Sequence, residues 1–175
     1  MKKLILILIV VIFSAGLFYS CNEAPANTDA VRMKLEDIEI DPGFTWFSLT
    51  YNDYIVEADV MTQIRNKYDP QAHKIIVFAK PSCSCEGDHK YFPRFMKILD
   101  SAGIDENHYE IYSTREITNK HPYMSVYKLN HLPEFVVMKN GLPVYSILDS
   151  LNYYAAQGIN YPKYLEEFLF EAMKK

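Results

Sequence analysis

A positive charge balance is what this sequence most plainly lacks. Its 175 residues carry 18 lysines and arginines against 22 aspartates and glutamates, a formal −4 at pH 7. Without residues 1–20 the balance falls to −6 (16 − 22), because Lys2 and Lys3 go and no acid goes with them. That charge argues against a nucleic-acid partner. There is no P-loop, no glycine-rich dinucleotide fingerprint and no internal repeat, which removes the usual nucleotide-binding motifs and the repeat architectures. Cysteine is scarce: Cys21, Cys83 and Cys85 are the only three. What is present is ordinary globular composition, 49% hydrophobic and 23% charged, enough for one domain with a real core. The fourteen tyrosines read as packing residues.

The N-terminus reads as a targeting segment over residues 1–20. Lys2 and Lys3 form a charged start, residues 4–13 are apolar, and Ser14, Ala15, Gly16 and Ser20 are small. Cys21 follows where the apolar run has ended. A plain signal peptide and a membrane-spanning anchor are the bland readings. The sharper one is a bacterial lipoprotein signal, with Cys21 as the acylated N-terminus, although Phe18-Tyr19-Ser20 is a loose lipobox. Acyl chains would then hold the protein on a membrane of the cell envelope, with its domain outside the cytoplasm. Residues 21–43 read as a tether, with 31–40 apolar enough to pack as an extra strand. Residues 44–175 read as the domain.

Within that domain, Ile75-Ile76-Val77-Phe78-Ala79 is an apolar, β-branched run and reads as a buried strand over 74–79. Lys80-Pro81-Ser82 turns the chain, and Cys83-Ser84-Cys85 follow. Then the period changes. Phe92, Phe95, Met96 and Leu99 recur at i, i+3, i+4 and i+7, one face of a helix expected over 86–101. Two thiols therefore stand where a strand hands over to a helix N-terminus, whose unpaired N–H groups and partial positive charge favour thiolate. Glu86 and Asp88 oppose that effect and raise the thiol pKa.

Elsewhere the expected elements are an extended piece over 45–50, a helix over 53–67, a strand over 109–113 and a helix over 117–129 disturbed by Pro122. Residues 134–139 and 142–148 form an antiparallel pair around Asn140-Gly141. A loop over 149–160 and a last helix opened by Pro162 complete the chain.

The order of strand, cysteines, helix and then Leu132-Pro133, a strand and Lys139-Asn140-Gly141 about fifty residues later resembles the thioredoxin superfamily. The resemblance spans roughly Ile55 to Lys175. It implies an α/β, thioredoxin-like fold with a central mixed β-sheet and helices on both faces. It also implies that Pro133 is a cis-proline facing the cysteine turn, and that Leu132 and Pro133 line the groove for a partner's extended chain. The implied activity is thiol–disulfide exchange with envelope proteins, which needs no cofactor.

The chain departs from the family at the thiols. Ser82-Cys83-Ser84-Cys85 has one residue between the cysteines where thioredoxins have two. A bridge across that spacing is strained and easily reduced, which suits an oxidant or isomerase better than a reductant. Counting from the strand makes Cys83 the nucleophile and Cys85 the resolving thiol. Counting back from Pro93 puts Cys85 first and Asp88 in the resolving place. The strand count is preferred because its segment is shorter. On that count the family's buried carboxylate falls at Val77, so the relay is absent. Two other readings stay open. Cys83 and Cys85 are a static disulfide or inert thiols on a binding module, or Cys83, Cys85, His89 and His131 hold a soft metal such as Cu(I) or Zn.

Overall fold

The computed structural model describes residues 29–82, 86–158 and 165–175. Strand β2 (His73–Ala79) runs through the middle of a five-stranded mixed sheet ordered β1-β3-β2-β4-β5. It pairs in parallel with β3 (Tyr109–Ser113), setting Val77 opposite Ile111. On its other edge it pairs antiparallel with β4 (Glu134–Lys139), setting Ile76 opposite Val136 and Phe78 opposite Glu134. The edges are β1 (Val31–Met33), antiparallel to β3, and β5 (Leu142–Ser146), antiparallel to β4. Asn140 and Gly141, at φ of 51° and 81°, make the tight β4–β5 turn, which requires two residues in the left-handed region.

The apolar run of β2 is continuous because both its faces are covered. Ile75, Val77 and Ala79 point to one side with Phe135 and Val137 of β4. Ile76 and Phe78 point to the other with Tyr112, Val136 and Met138. The first side takes the helices. Helix α1 (Leu35–Ile40) contributes Ile38, α2 (Phe47–Asp53) Phe47, and α3 (Ala58–Lys67) Met61 and Ile64. Helix α4 (Glu86–Ser101) buries Phe92, Phe95, Met96, Ile98 and Leu99, and the Phe95 ring lies parallel to that of Phe135 at 4.2 Å. Gly103, at φ 74°, ends α4: its N–H donates to the Asp100 carbonyl and the Ile104 N–H to that of Leu99. Helices α5 (Ile147–Ala156) and α6 (Leu165–Met173) close this side.

The sheet is flanked by helices as expected, but among the described residues not on both faces. The second face is covered by residues 114–133, which contain turns and no helix. Leu129, Tyr123, Tyr127 and Leu132 pack there. The helix expected over 117–129 is missing because Pro122 supplies no N–H, and because His121 is buried edge-on against Phe78 at 4.8 Å.

Other expectations are corrected in the same way. Residues 31–40, expected as an extra strand, give a three-residue strand followed by α1, and Ile38 is fully buried, so packed chain begins before Phe44. Residues 45–50 are not extended; a 3-10 turn (Pro42–Phe44) leads into α2, with Phe44 and Phe47 spaced to face Phe92. The helix expected over 53–67 starts only at Ala58. Glu166 of α6 holds the preceding segment open, accepting from the Tyr54 hydroxyl at 2.9 Å and the Glu57 N–H at 3.4 Å. Ile55, ahead of that start, is 88% exposed. The last strand stops at Ser146, whose Oγ accepts from the Asp149 N–H and caps α5 where a loop was expected. Pro162 lies outside the described residues.

Ile38→Ala is expected to lower stability by roughly 2–5 kcal/mol, as for a buried aliphatic residue. Ile40→Ala, at a position 82% exposed, is expected to change it by less than about 0.5 kcal/mol. Chemical denaturation measures both; equal effects would put residues 31–40 outside the core.

Candidate functional site

Strand β2 ends at Ala79 and α4 begins at Glu86, so the cysteine segment occupies the crossing between them. Cys83 and Cys85 lie outside the described residues, as does Cys21. The residues on either side of the pair are fixed. The Lys80 N–H donates to Asp88 Oδ1 at 2.9 Å, which ties the end of β2 to the first turn of α4. The Ser82 N–H donates to the Gly43 carbonyl at 2.7 Å, and Ser82 sits at φ 54°. Gly43 is required there: a Cβ would stand 2.8 Å from Pro81 Cβ and 2.9 Å from Asp41 Oδ1.

Pro133 faces this crossing from the start of β4. The Leu132–Pro133 peptide bond is cis. Gly87, two residues past Cys85, approaches so closely that a Cβ on it would lie 3.1 Å from Pro133 Cδ. Leu132 is half-buried against the second cluster. Thus the strand end, the helix start and Pro133 meet at one end of the sheet.

Asp88 departs from expectation. Read in sequence as a charge working against the thiolate, it is fully buried in the first turn of α4. Burial pushes its carboxyl up to about 6, against the Lys80 N–H and the charges of His89 and Lys80. A buried acid therefore does stand beside the cysteine segment, on the helix instead of at Val77.

The two histidines are held separately. His89 packs at a tilt against Trp46, with 4.3 Å between ring centroids. His131 turns to carboxylates: its Nε2 is 2.6 Å from Asp149 Oδ1 and 3.2 Å from Glu134 Oε2, and its Nδ1 is 3.2 Å from the Pro133 carbonyl oxygen. Glu134 is fully buried, and burial pushes it up to about 7 despite His131, Ser146 and two backbone N–H groups. Glu134 and Asp149 escaped the sequence reading. The one local signal was a carboxylate opening an otherwise apolar strand, three residues after a histidine.

No family model, no curated protein and no solved structure matches this chain. What fold and site define together is an α/β domain with a cysteine-bearing strand-to-helix crossing.

Asp88 yields a pH prediction. Its folded-state carboxyl lies above the ordinary 3.8, so the fold binds that proton more tightly than the unfolded chain does. Stability is then highest while Asp88 is protonated and falls as pH rises from about 4 to about 6. Asp88→Asn keeps an acceptor for Lys80 and removes the buried charge. It is expected to raise stability at pH 7 by up to about 3 kcal/mol and to show no gain near pH 4. Urea melts across that range measure this; a difference independent of pH would contradict it.

Proposed function

We propose that this chain is a thioredoxin-like thiol–disulfide oxidoreductase, acting on disulfides of envelope proteins through Cys83 and Cys85. The observation that carries the reading is the meeting of the β2–α4 crossing with Pro133, Gly87 of one packed on the ring of the other. The sheet order, with the crossing next to the central strand and β4 antiparallel to it, supports the same reading. So does the burial of Asp88 at the helix start. Two features depart from the family: the antiparallel β1 and the helix-free cover over residues 114–133.

In the oxidising direction a partner's thiolate attacks Cys83 of a Cys83–Cys85 bridge. The bridge breaks, Cys85 leaves as thiolate, and a mixed disulfide joins Cys83 to the partner. A second partner thiolate then attacks the partner's own sulfur, Cys83 departs, and the partner gains a disulfide while the pair keeps two electrons. The reverse sequence reduces a partner, with Cys85 resolving the mixed disulfide. The helix N-terminus favours both thiolates, and on this reading Asp88, buried in the first turn of α4, is the acid that exchanges a proton with them. Leu132 and Pro133 line the strip where the partner's extended chain lies.

Mixed-disulfide trapping tests this. Cys85→Ser is expected to accumulate covalent complexes with envelope proteins on non-reducing gels, and Cys83→Ser is not. The reverse pattern would make Cys85 the nucleophile. Absence of any complex, with no catalysis of insulin reduction or oxidative refolding, would leave a binding module.

The attachment belongs to the same proposal. Acyl chains on Cys21 hold the domain on an envelope membrane, outside the cytoplasm. Among the described residues no helix is long and apolar enough to cross a membrane. Cys21→Ala is expected to abolish labelling by radioactive fatty acid, and equal labelling of the variant would rule the anchor out.

A further inference from the structure

We propose that His131, Glu134 and Asp149 bind a divalent transition-metal cation of the zinc type. Each offers one donor atom, and the three atoms lie within 4.8 Å of one another. One imidazole nitrogen and two carboxylate oxygens form a borderline-to-hard donor set, suited to Zn2+ and its neighbours and not to Cu(I). The set shares only His131 with the soft-metal alternative of the sequence reading, uses no thiol and is independent of the redox proposal.

An acidic cluster alone would not carry this. The second observation is Glu134 Oε2, which is fully buried and makes no well-formed hydrogen bond, with the Ser146 and Tyr127 hydroxyls as its other polar neighbours. Its nearest ring nitrogen, His131 Nε2 at 3.2 Å, lies closer to Asp149 Oδ1, at 2.6 Å. One N–H cannot serve both well, and a buried oxygen left over is costly. A cation between the three atoms would satisfy all of them.

The supporting contacts fit a ligand set. Glu134 Oε1 accepts from the Phe135 N–H at 2.8 Å and the Leu148 N–H at 3.1 Å, so the carboxylate is clamped with Oε2 turned toward His131. The Pro133 carbonyl, 3.2 Å from His131 Nδ1, accepts from that nitrogen in the tautomer that leaves Nε2 as a lone-pair donor. Metal-binding histidines are oriented by such contacts. Asp149, in the first turn of α5, has a side chain 40% exposed, which gives an ion a route in. Bonds of about 2.0–2.2 Å in a tetrahedral site need donors a little over 3 Å apart. The His131–Asp149 pair must therefore open by about half an ångström and the two carboxylates close from as much as 4.8 Å, movements available to the half-buried Asp149. Three protein ligands leave a fourth position for water.

The test uses the full chain in detergent with Cys21→Ala, Cys83→Ser and Cys85→Ser, so that no thiol competes. Zn2+ is titrated calorimetrically, and Co2+ is followed by its visible absorption. Binding of one ion per chain is expected, with Co2+ bands free of thiolate charge transfer. Glu134→Gln and Asp149→Asn should each weaken Zn2+ binding at least about tenfold. Circular dichroism checks folding; if Glu134→Gln does not fold, Asp149→Asn decides. No stoichiometric binding, or binding that the decisive substitution leaves unchanged, would overturn the proposal.

Discussion

The hydrogen-bond ladder along β2 is the constraint on which the rest depends. With β3 on one edge and β4 on the other, β2 has no free edge. Its side chains alternate between two clusters, Ile75 and Val77 under the helices and Ile76 and Phe78 under the turns of residues 114–133. Burying such side chains from both faces is worth about 1.5–3 kcal/mol each. A one-residue slip would exchange the two sets and bring Phe78 to the helical side. Register along this strand therefore fixes where β2 ends, and with it where the chain turns toward α4. Pro133 enters the same geometry through the pairing of Phe78 with Glu134, its immediate neighbour.

Fully buried carboxylates then lock the pieces around that ladder. Asp88 joins β2 to α4 through the Lys80 N–H. Glu134 joins β4 to the start of α5 through the Phe135 and Leu148 N–H groups. Glu166 joins α6 to the chain between α2 and α3 through Tyr54 and Glu57. Burying a carboxylate is expensive unless donors meet it, so each of these holds a defined arrangement more than it adds net stability. For Asp88 and Glu134 burial prevails over the donors, and their carboxyls titrate far above the ordinary range. Both flank the end of the sheet where β2 stops and α4 begins, which gives that end its chemical character.

The sequence was most legible where local pattern and tertiary burial agree. The apolar run of β2, the i, i+3, i+4 spacing of Phe92, Phe95 and Met96, and Asn140-Gly141 each encode a local geometry, and those elements stand where they were expected. Legibility failed where the deciding partner is distant in sequence. Glu166 sets the start of α3 from more than a hundred residues away. Ser146 ends β5 by capping a helix whose pattern was hidden beside a strand. Residues 114–133 cover a sheet face with tyrosines on turns, so helical spacing was a false guide. Asp88 and Glu134 look like surface charges until the fold buries them, and that is where the site departs most from its sequence reading. Cys21, Cys83 and Cys85, the most explicit signals in the chain, lie outside the described residues and keep the meaning that position alone gives them.

The central claim is a reversible redox couple at the β2–α4 crossing. Equilibrating the full chain in thiol–disulfide buffers of graded potential, then counting alkylated Cys83 and Cys85 by mass spectrometry, tests it most directly. The proposed oxidoreductase predicts that both thiols are lost together as the buffer becomes oxidising and regained together on return. Two cysteines that stay alkylated at every potential, or stay protected at every potential, would contradict it.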